Sequence, residues 1–437
     1  MNNNTYFKNY VSFNKYLLLY LLILGFFAII HLYTKHTVGN DSTISEWIIN
    51  YQGGFIRRGF IGEICFHIAK FFNSDLRFII FLLQSTFYLL FLFLTFKFFK
   101  NINSNILTSF AIFTPIFLLY PIAEVEVLAR KEIFLYIYFL GFIFLCDPKS
   151  NNEKYINKYV FLITPIICLI YEEVVLFFPF VVACMVFQKQ IKTFNSFFKL
   201  CLLFVPSLLI VMYFFLFPMT DVNHALLVQS LLINFNETCY MSCQLMIANN
   251  INEFNALLKY IYGRASTDVI ITWIIRYFLI FLVGFFPLLL LASHSKIKGS
   301  NIFSYLKLTN IMFLMFFLYL PIIPLFIFGG DWGRWTGMLI SFSTFFYFFL
   351  YKFNHINVDF KALSEKLSLF KNRKKLTVII FIIFAFGWNQ KTAMSGDIAT
   401  NPLWKVPYNT SKRIFGWQNF KILQDHPLSI WHKKIIE

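Results

Sequence analysis

Residues 16–34 read Tyr-Leu-Leu-Leu-Tyr-Leu-Leu-Ile-Leu-Gly-Phe-Phe-Ala-Ile-Ile-His-Leu-Tyr-Thr, a stretch without a formal charge. At about 1.5 Å of rise per residue, a helix of this length matches the roughly 30 Å hydrocarbon core of a bilayer. Comparable apolar runs lie at about 77–97, 104–121, 132–146, 159–187, 200–217, 269–292, 308–328, 336–351 and 376–389. The run 159–187 is too long for one ordinary helix and carries Glu172 and Glu173 at its centre, so it reads as two short helices meeting near Tyr171. The expected fold is all-α: a polytopic integral membrane helix bundle of about 11 spans over residues 1–389, followed by a C-terminal cap, 390–437.

Composition agrees. The 437 residues include 61 Phe and 23 Tyr, 58% are hydrophobic and only 14% charged, and the mean hydropathy is +0.65. Such a make-up lies outside that of soluble globular chains. With the N-terminus in the cytoplasm, the inner segments hold 20 of the 38 Lys and Arg residues against 4 acidic ones. The net charge of +17 is then mostly a topology signal, and nucleic acid is not an expected partner. The first apolar run lacks a small-residue cleavage site and is expected to act as an uncleaved anchor.

This orientation collects the unusual segments on the outer side: 35–76, 122–131, the Tyr171-Glu172-Glu173 elbow, 218–268, 329–335 and the cap. Inside lie short lysine-dotted connections and the polar stretch 353–375, expected to be an amphipathic helix on anionic lipid. No Walker loop, dinucleotide fingerprint or H-E-x-x-H sequence is present, which argues against ATP-driven transport by this chain alone. Cys239 and Cys243 could close a disulfide; two cysteines without further ligands are weak grounds for zinc.

Three charged clusters share the outer face. The first holds Asp41, Glu46, Arg57, Arg58 and Glu63, with the two arginines inside Gly53-Gly-Phe-Ile-Arg-Arg-Gly-Phe60. Adjacent arginines at a membrane boundary are costly to desolvate and demand an anion, a headgroup or a fixed acid. Their forked guanidiniums suit phosphate, and flanking glycines permit close backbone approach. The second cluster runs from Glu124 to Glu132 and includes Arg130; if helical, Glu126 and Arg130 would face each other at i, i+4. The third is Gly329-Gly-Asp331-Trp-Gly-Arg334-Trp335, in which an acid, a guanidinium and indole faces suit a sugar phosphate. Glu172 and Glu173, at a helix break within the apolar region, need a cation, a proton or a water-filled cavity. They are equally suited to pairing with Arg57, Arg58 or Arg334. His224 is a further possible base, although a lone surface histidine is the simpler reading.

Together these groups describe lipid-linked glycosyl transfer. Arg57, Arg58, Arg130, Asp331, Arg334 and Trp335 would bind substrate, and Glu172, Glu173 or Asp41 would deprotonate the acceptor hydroxyl. No metal or other cofactor is expected, since guanidinium charge can stabilise the leaving diphosphate.

The multi-span layout, the Gly-Gly-Phe-Ile-Arg-Arg-Gly-Phe loop and the Gly-Asp-Trp-Gly-Arg-Trp loop resemble the membrane proteins of bacterial surface-polysaccharide clusters, above all O-antigen or capsule repeat-unit polymerases. The resemblance implies an inner-membrane enzyme that joins undecaprenyl-diphosphate-linked oligosaccharide repeat units on the periplasmic face. It also implies membrane lipids, a chain-length regulator and a flippase as partners. One departure is loop 218–268, whose only cations are Lys259 and Arg264 where that family often places arginines, so loop 35–76 is the preferred diphosphate site. The alternatives are a polyprenyl-phosphate-sugar glycosyltransferase modifying a glycan or lipid, with Asp41 as base, a flippase or transporter of lipid-linked oligosaccharide, and a non-catalytic scaffold.

Overall fold

The apolar runs fold as helices of unequal length, some long enough to span a bilayer and some cut short. The computed structural model describes residues 3–38, 42–148, 153–247, 259, 263, 265–366 and 373–395, with side chains of the first helix from Phe13 onward. The long helices are α1 (Asn3–Val38), α3 (Leu76–Phe99), α8 (Phe194–Leu216, tightened to 3-10 at Leu202–Phe204), α10 (Thr267–Ser293) and α11 (Ile311–Phe328, tightened at Leu320–Ile322). Among the described residues these are the five helices long and apolar enough to cross a membrane, and each coincides with an expected run. The chain is an all-α membrane protein.

Of the remaining runs, all but 336–351 are shorter or interrupted. Helix α5 (Glu132–Leu145) has 14 residues, α7 (Phe178–Gln188) has 11 and α13 (Lys374–Phe386) has 13. At about 1.5 Å per residue each falls short of the bilayer core. The run 104–121, expected as a span, is helical only over α4 (Ile106–Ile112) and a single turn at Tyr120–Ala123. Thr114-Pro115 ends α4, because proline offers no N–H to the helix. The irregular stretch 113–120 is buried throughout, which is how non-helical backbone survives at membrane depth. As expected, the 159–187 run breaks at Tyr171: α6 (Glu153–Ile170) ends there and a 3-10 turn, Glu172–Phe177, leads into α7.

Helix α12 (Trp332–Lys352) is the axis of the bundle, buried on every face from Trp332 to Leu350. Its hydroxyls make this possible by bonding back to the helix: Thr336 Oγ1 donates to the Trp332 carbonyl (2.8 Å), Ser341 Oγ to Gly337 (2.7 Å) and Ser343 Oγ to Leu339 (2.6 Å). Phe342 stacks on Phe139 and Phe177, at centroid distances of 4.9 and 4.5 Å. The expected loop 329–335 is therefore largely helix, with Asp331 at the N-cap position and Arg334 and Trp335 in the first turn. Residues 390–394 dock on that turn: the Gly333 N–H donates to the Thr392 carbonyl (3.0 Å) and the Met394 N–H to Gly330 (2.7 Å). Residues 396–437 of the expected cap lie outside the described residues. In the polar stretch 353–375, strand β2 (Ile356–Val358) pairs antiparallel with β1 (Ser295–Ile297), and a helix, Phe360–Lys366, follows.

Helix α2 (Gly59–Phe71) carries the Arg-Arg loop at its start and packs against the segment 47–49. A Cβ at Gly62 would lie 1.8 Å from the Ile49 carbonyl oxygen and 2.7 Å from that of Trp47. The outer helix α9 (Asp221–Phe235) covers the Gly53-Gly54 turn, where a Cβ at Gly53 would meet the Asn223 carbonyl oxygen at 2.0 Å. These glycines serve helix-to-loop packing. Cys239 and Cys243 are disulfide-bonded just beyond α9. Gly62→Ala is expected to lower the thermal unfolding temperature in detergent by the equivalent of about 1–3 kcal/mol of overpacking. Gly330→Ala, with nothing within 4 Å of the added methyl, should leave it unchanged.

Candidate functional site

The three charged segments meet where α1 and α6 end and α2, α5 and α12 begin. A one-turn helix, Ser42–Ser45, is tied down by Gln84 Nε2 donating to the Thr43 carbonyl (3.0 Å) and Trp47 Nε1 donating to the Ala129 carbonyl (3.1 Å). This places Glu46 at 0% exposure. Its Oε1 accepts from the Arg130 guanidinium, including Nε at 3.1 Å, and from Arg334 Nη2 at 3.2 Å, with Arg58 Nη1 at 4.0 Å. Burial works to raise the Glu46 carboxyl, but the guanidiniums of Arg130 and Arg334 overcome it and hold it below the usual carboxylate range.

Arg58 caps α2 in the left-handed conformation, φ 62°, and the Lys131 ammonium donates to its carbonyl. That backbone aims the Arg58 side chain at the α6–α7 elbow. Its Nε donates to both Glu172 oxygens at 2.9 Å, its Nη2 to Glu173 Oε1 at 2.8 Å, and its guanidinium carbon lies 4.8 Å from the Tyr171 ring centroid. Tyr171 joins the two halves: its hydroxyl donates to Glu173 Oε2 (2.6 Å) and accepts from Arg334 Nη2 (2.9 Å). Arg334 also donates to Glu132 and lies 3.3 Å from Asp331, which in turn is 3.8 Å from Arg130.

Four guanidiniums, of Arg57, Arg58, Arg130 and Arg334, are thus paired with five acids, Glu46, Glu132, Glu172, Glu173 and Asp331, while the Lys131 amine donates to the Arg58 carbonyl. Matching matters because one uncompensated charge in such a place costs several kcal/mol, roughly 3–5 by the usual scale. The interior of the network is closed: the adjoining cavity, lined by Tyr88, Arg130, Glu132, Tyr136 and Arg334, has about 30 Å³, room for water but not for a sugar. Its rim is open at two places. The Asp331 side chain is 38% exposed, and the Arg57 side chain is 30% exposed with one long contact, 3.5 Å, to Glu172. Arg57 Nε is buried with no hydrogen-bond partner.

Of the residues singled out from the sequence, Arg57, Arg58, Arg130, Glu172, Glu173, Asp331 and Arg334 converge here. Asp41 lies outside the described residues. Trp335 stands beside the network, its ring 5.7 Å from Phe326 and against Gly329. The i, i+4 pairing of Glu126 with Arg130 does not form, because Ala129 turns into the left-handed region (φ 49°) and sends Arg130 to Glu46. Glu63 is separate, accepting from the Tyr51 N–H and Gln52. His224 is away from these groups, its Nε2 3.4 Å from Cys239 Sγ. Four participants carried no assigned role in the sequence: Glu46, Lys131, Glu132 and Tyr171. The signal for Glu46 was local, a lone acid within Thr43-Ile44-Ser45-Glu46-Trp47-Ile48-Ile49.

No protein-family model, curated protein or solved structure matches this chain.

Two outcomes test the network. Glu46→Gln removes the charge shared by Arg130 and Arg334 and is expected to cost about 3–5 kcal/mol of stability, read by unfolding in detergent. Lys131 lies in the loop before α5, and burial pushes its ammonium down to about 7, against about 10.4 in an unfolded chain. Between those values the folded protein binds fewer protons, so stability should rise with pH across that window, the cost of the buried ammonium being fully present below it. Lys131→Met should flatten the rise.

Proposed function

We propose that this protein is a membrane glycosyltransferase that uses a polyprenyl-diphosphate-linked oligosaccharide, with surface-polysaccharide repeat-unit polymerisation as the specific reaction. The observation that carries the reading is Arg57: a side chain 30% exposed at the rim of a buried ionic network, whose guanidinium makes a single long contact, 3.5 Å, to a carboxylate. Such a group gains most from a ligand that accepts a forked pair of hydrogen bonds. A diphosphate presented from the bilayer is that ligand. An apolar groove of about 980 Å³ between α1, α4 and α13, lined by Tyr20, Phe27, Phe113, Ile122 and Phe381, supplies a surface for a polyprenyl chain.

In this reading the acceptor hydroxyl attacks the anomeric carbon of the donor sugar, the bond from that carbon to the diphosphate oxygen breaks, and Arg57 stabilises the departing charge. The hydroxyl proton passes to a carboxylate. Glu172 and Glu173 are engaged by Arg58, Arg57 and Tyr171, so Asp331, the most exposed acid of the network, is the better base and the other two hold the arginines in place. The reading includes about 11 crossings of a bacterial inner membrane, with the N-terminus cytoplasmic and the network periplasmic. A reporter fused at residue 335 that signals from the cytoplasm would overturn that orientation.

Arg57→Lys keeps the charge and removes the fork. Losing a bond to a charged group, about 1.5–3 kcal/mol, corresponds to a roughly 10- to 150-fold loss of transfer, seen on gels as single capped repeat units in cells lacking the native gene. Long-chain polysaccharide at the native level in both Arg57→Lys and Asp331→Asn cells would sink the assignment. Absent glycans or retained lipid-linked intermediates in the deletion strain would point instead to an earlier transferase or a flippase.

A further inference from the structure

The turn after α9 brings a second chemistry together. His224, in the first turn of α9, presents Nε2 3.4 Å from Cys239 Sγ, and the ligand atoms of His224, Cys239 and Cys243 all lie within 4.8 Å of one another. Cys243 is fully buried and Cys239 partly so. The cysteines are disulfide-bonded, with Cα atoms 5.4 Å apart.

We propose that, when this pair is reduced, His224, Cys239 and Cys243 form a binding site for a thiophilic cation of the zinc class. On a tetrahedral zinc ion, with Zn–S near 2.3 Å and Zn–N near 2.05 Å, an imidazole nitrogen and a thiolate sulfur sit about 3.6 Å apart and two thiolates about 3.8 Å apart. The imidazole is already at that separation from Cys239. The sulfurs need only part by side-chain rotation within one turn of chain. A dithiol donor supplies the two electrons and two protons that turn the disulfide into two thiols, and itself leaves as a disulfide. Metal binding then displaces both thiol protons, leaving a Cys2His set whose fourth position falls to water. The consequence is mechanical: the Ser242 N–H, between the cysteines, donates to Ser45 Oγ (3.3 Å), next to Glu46. The turn that rests on the ionic network is thus fastened by a covalent bond in one redox state and by a metal in the other. This assignment does not depend on glycosyl transfer.

The test uses the full-length protein in detergent, reduced with a phosphine, freed of metal by a chelator and titrated with Co2+. A single equivalent should bind with a thiolate-to-cobalt charge-transfer absorption, be displaced by Zn2+, and fail to bind the oxidised protein. His224→Ala should weaken binding by at least about tenfold, the smallest loss expected even for an outer-shell partner. Re-formation of its disulfide on oxidation, read by thiol alkylation, shows that this variant is folded. If the reduced protein gives no thiolate absorption with Co2+, or the folded His224→Ala variant binds with unchanged affinity, the proposal is overturned and the pair is a structural disulfide with an incidental histidine neighbour.

Discussion

The carboxylate of Glu46, taken wholly out of solvent, is the constraint on which the rest depends. One oxygen serves two guanidiniums from segments 84 and 288 residues away. The α1–α2 connection, the 122–131 segment and the start of α12 can occupy their places only together. Each arginine is acceptable among apolar helices because of that acid, and the acid because of them. Tyr171 extends the arrangement to the elbow, so Arg58, Glu172 and Glu173 form a second knot on the same cord.

Half-length helices are what make room for this. A bundle of uniform spans would place charges only at its two faces. Here α5 and α7 are short, and the buried irregular stretch 113–120 takes the place of a full crossing. The start of α5 therefore lies inside the protein and presents Glu132 inward, toward Arg334 in the first turn of the longer α12. Such interior helix ends are the places where membrane proteins put polar chemistry, because freed backbone groups and charged side chains can satisfy one another away from lipid.

Much of this was legible in the chain. Five long spans stood out as apolar runs, and the break at Tyr171 was signalled by two glutamates at the centre of a run too long for one helix. Arg57, Arg58, Arg130 and Arg334 were conspicuous through their desolvation cost alone. What the sequence did not disclose was partnership. Periodicity suggested Glu126 for Arg130, yet one left-handed residue, Ala129, redirected it to an acid 84 positions earlier. The run 336–351 read as one more span, whereas it forms the buried axis α12, whose serines and threonines are silenced by their own helix. The glycines of the 53–60 loop suggested anion contact, but those at 53 and 54 are occupied by α9.

The 288-residue separation between Glu46 and Arg334 has a bearing on biogenesis. A chain made from its N-terminus delivers Glu46 and Arg58 early, Arg130 and the elbow next, and Arg334 only after most of the membrane segments have emerged. Until α12 slides into the centre, Glu132 lacks its principal cation and the core has no axis. Assembly of the bundle is thereby tied to a late step, and a nascent protein truncated before residue 332 would hold an unbalanced acidic charge among apolar helices, the kind of defect by which membrane quality control can tell unfinished chains from finished ones.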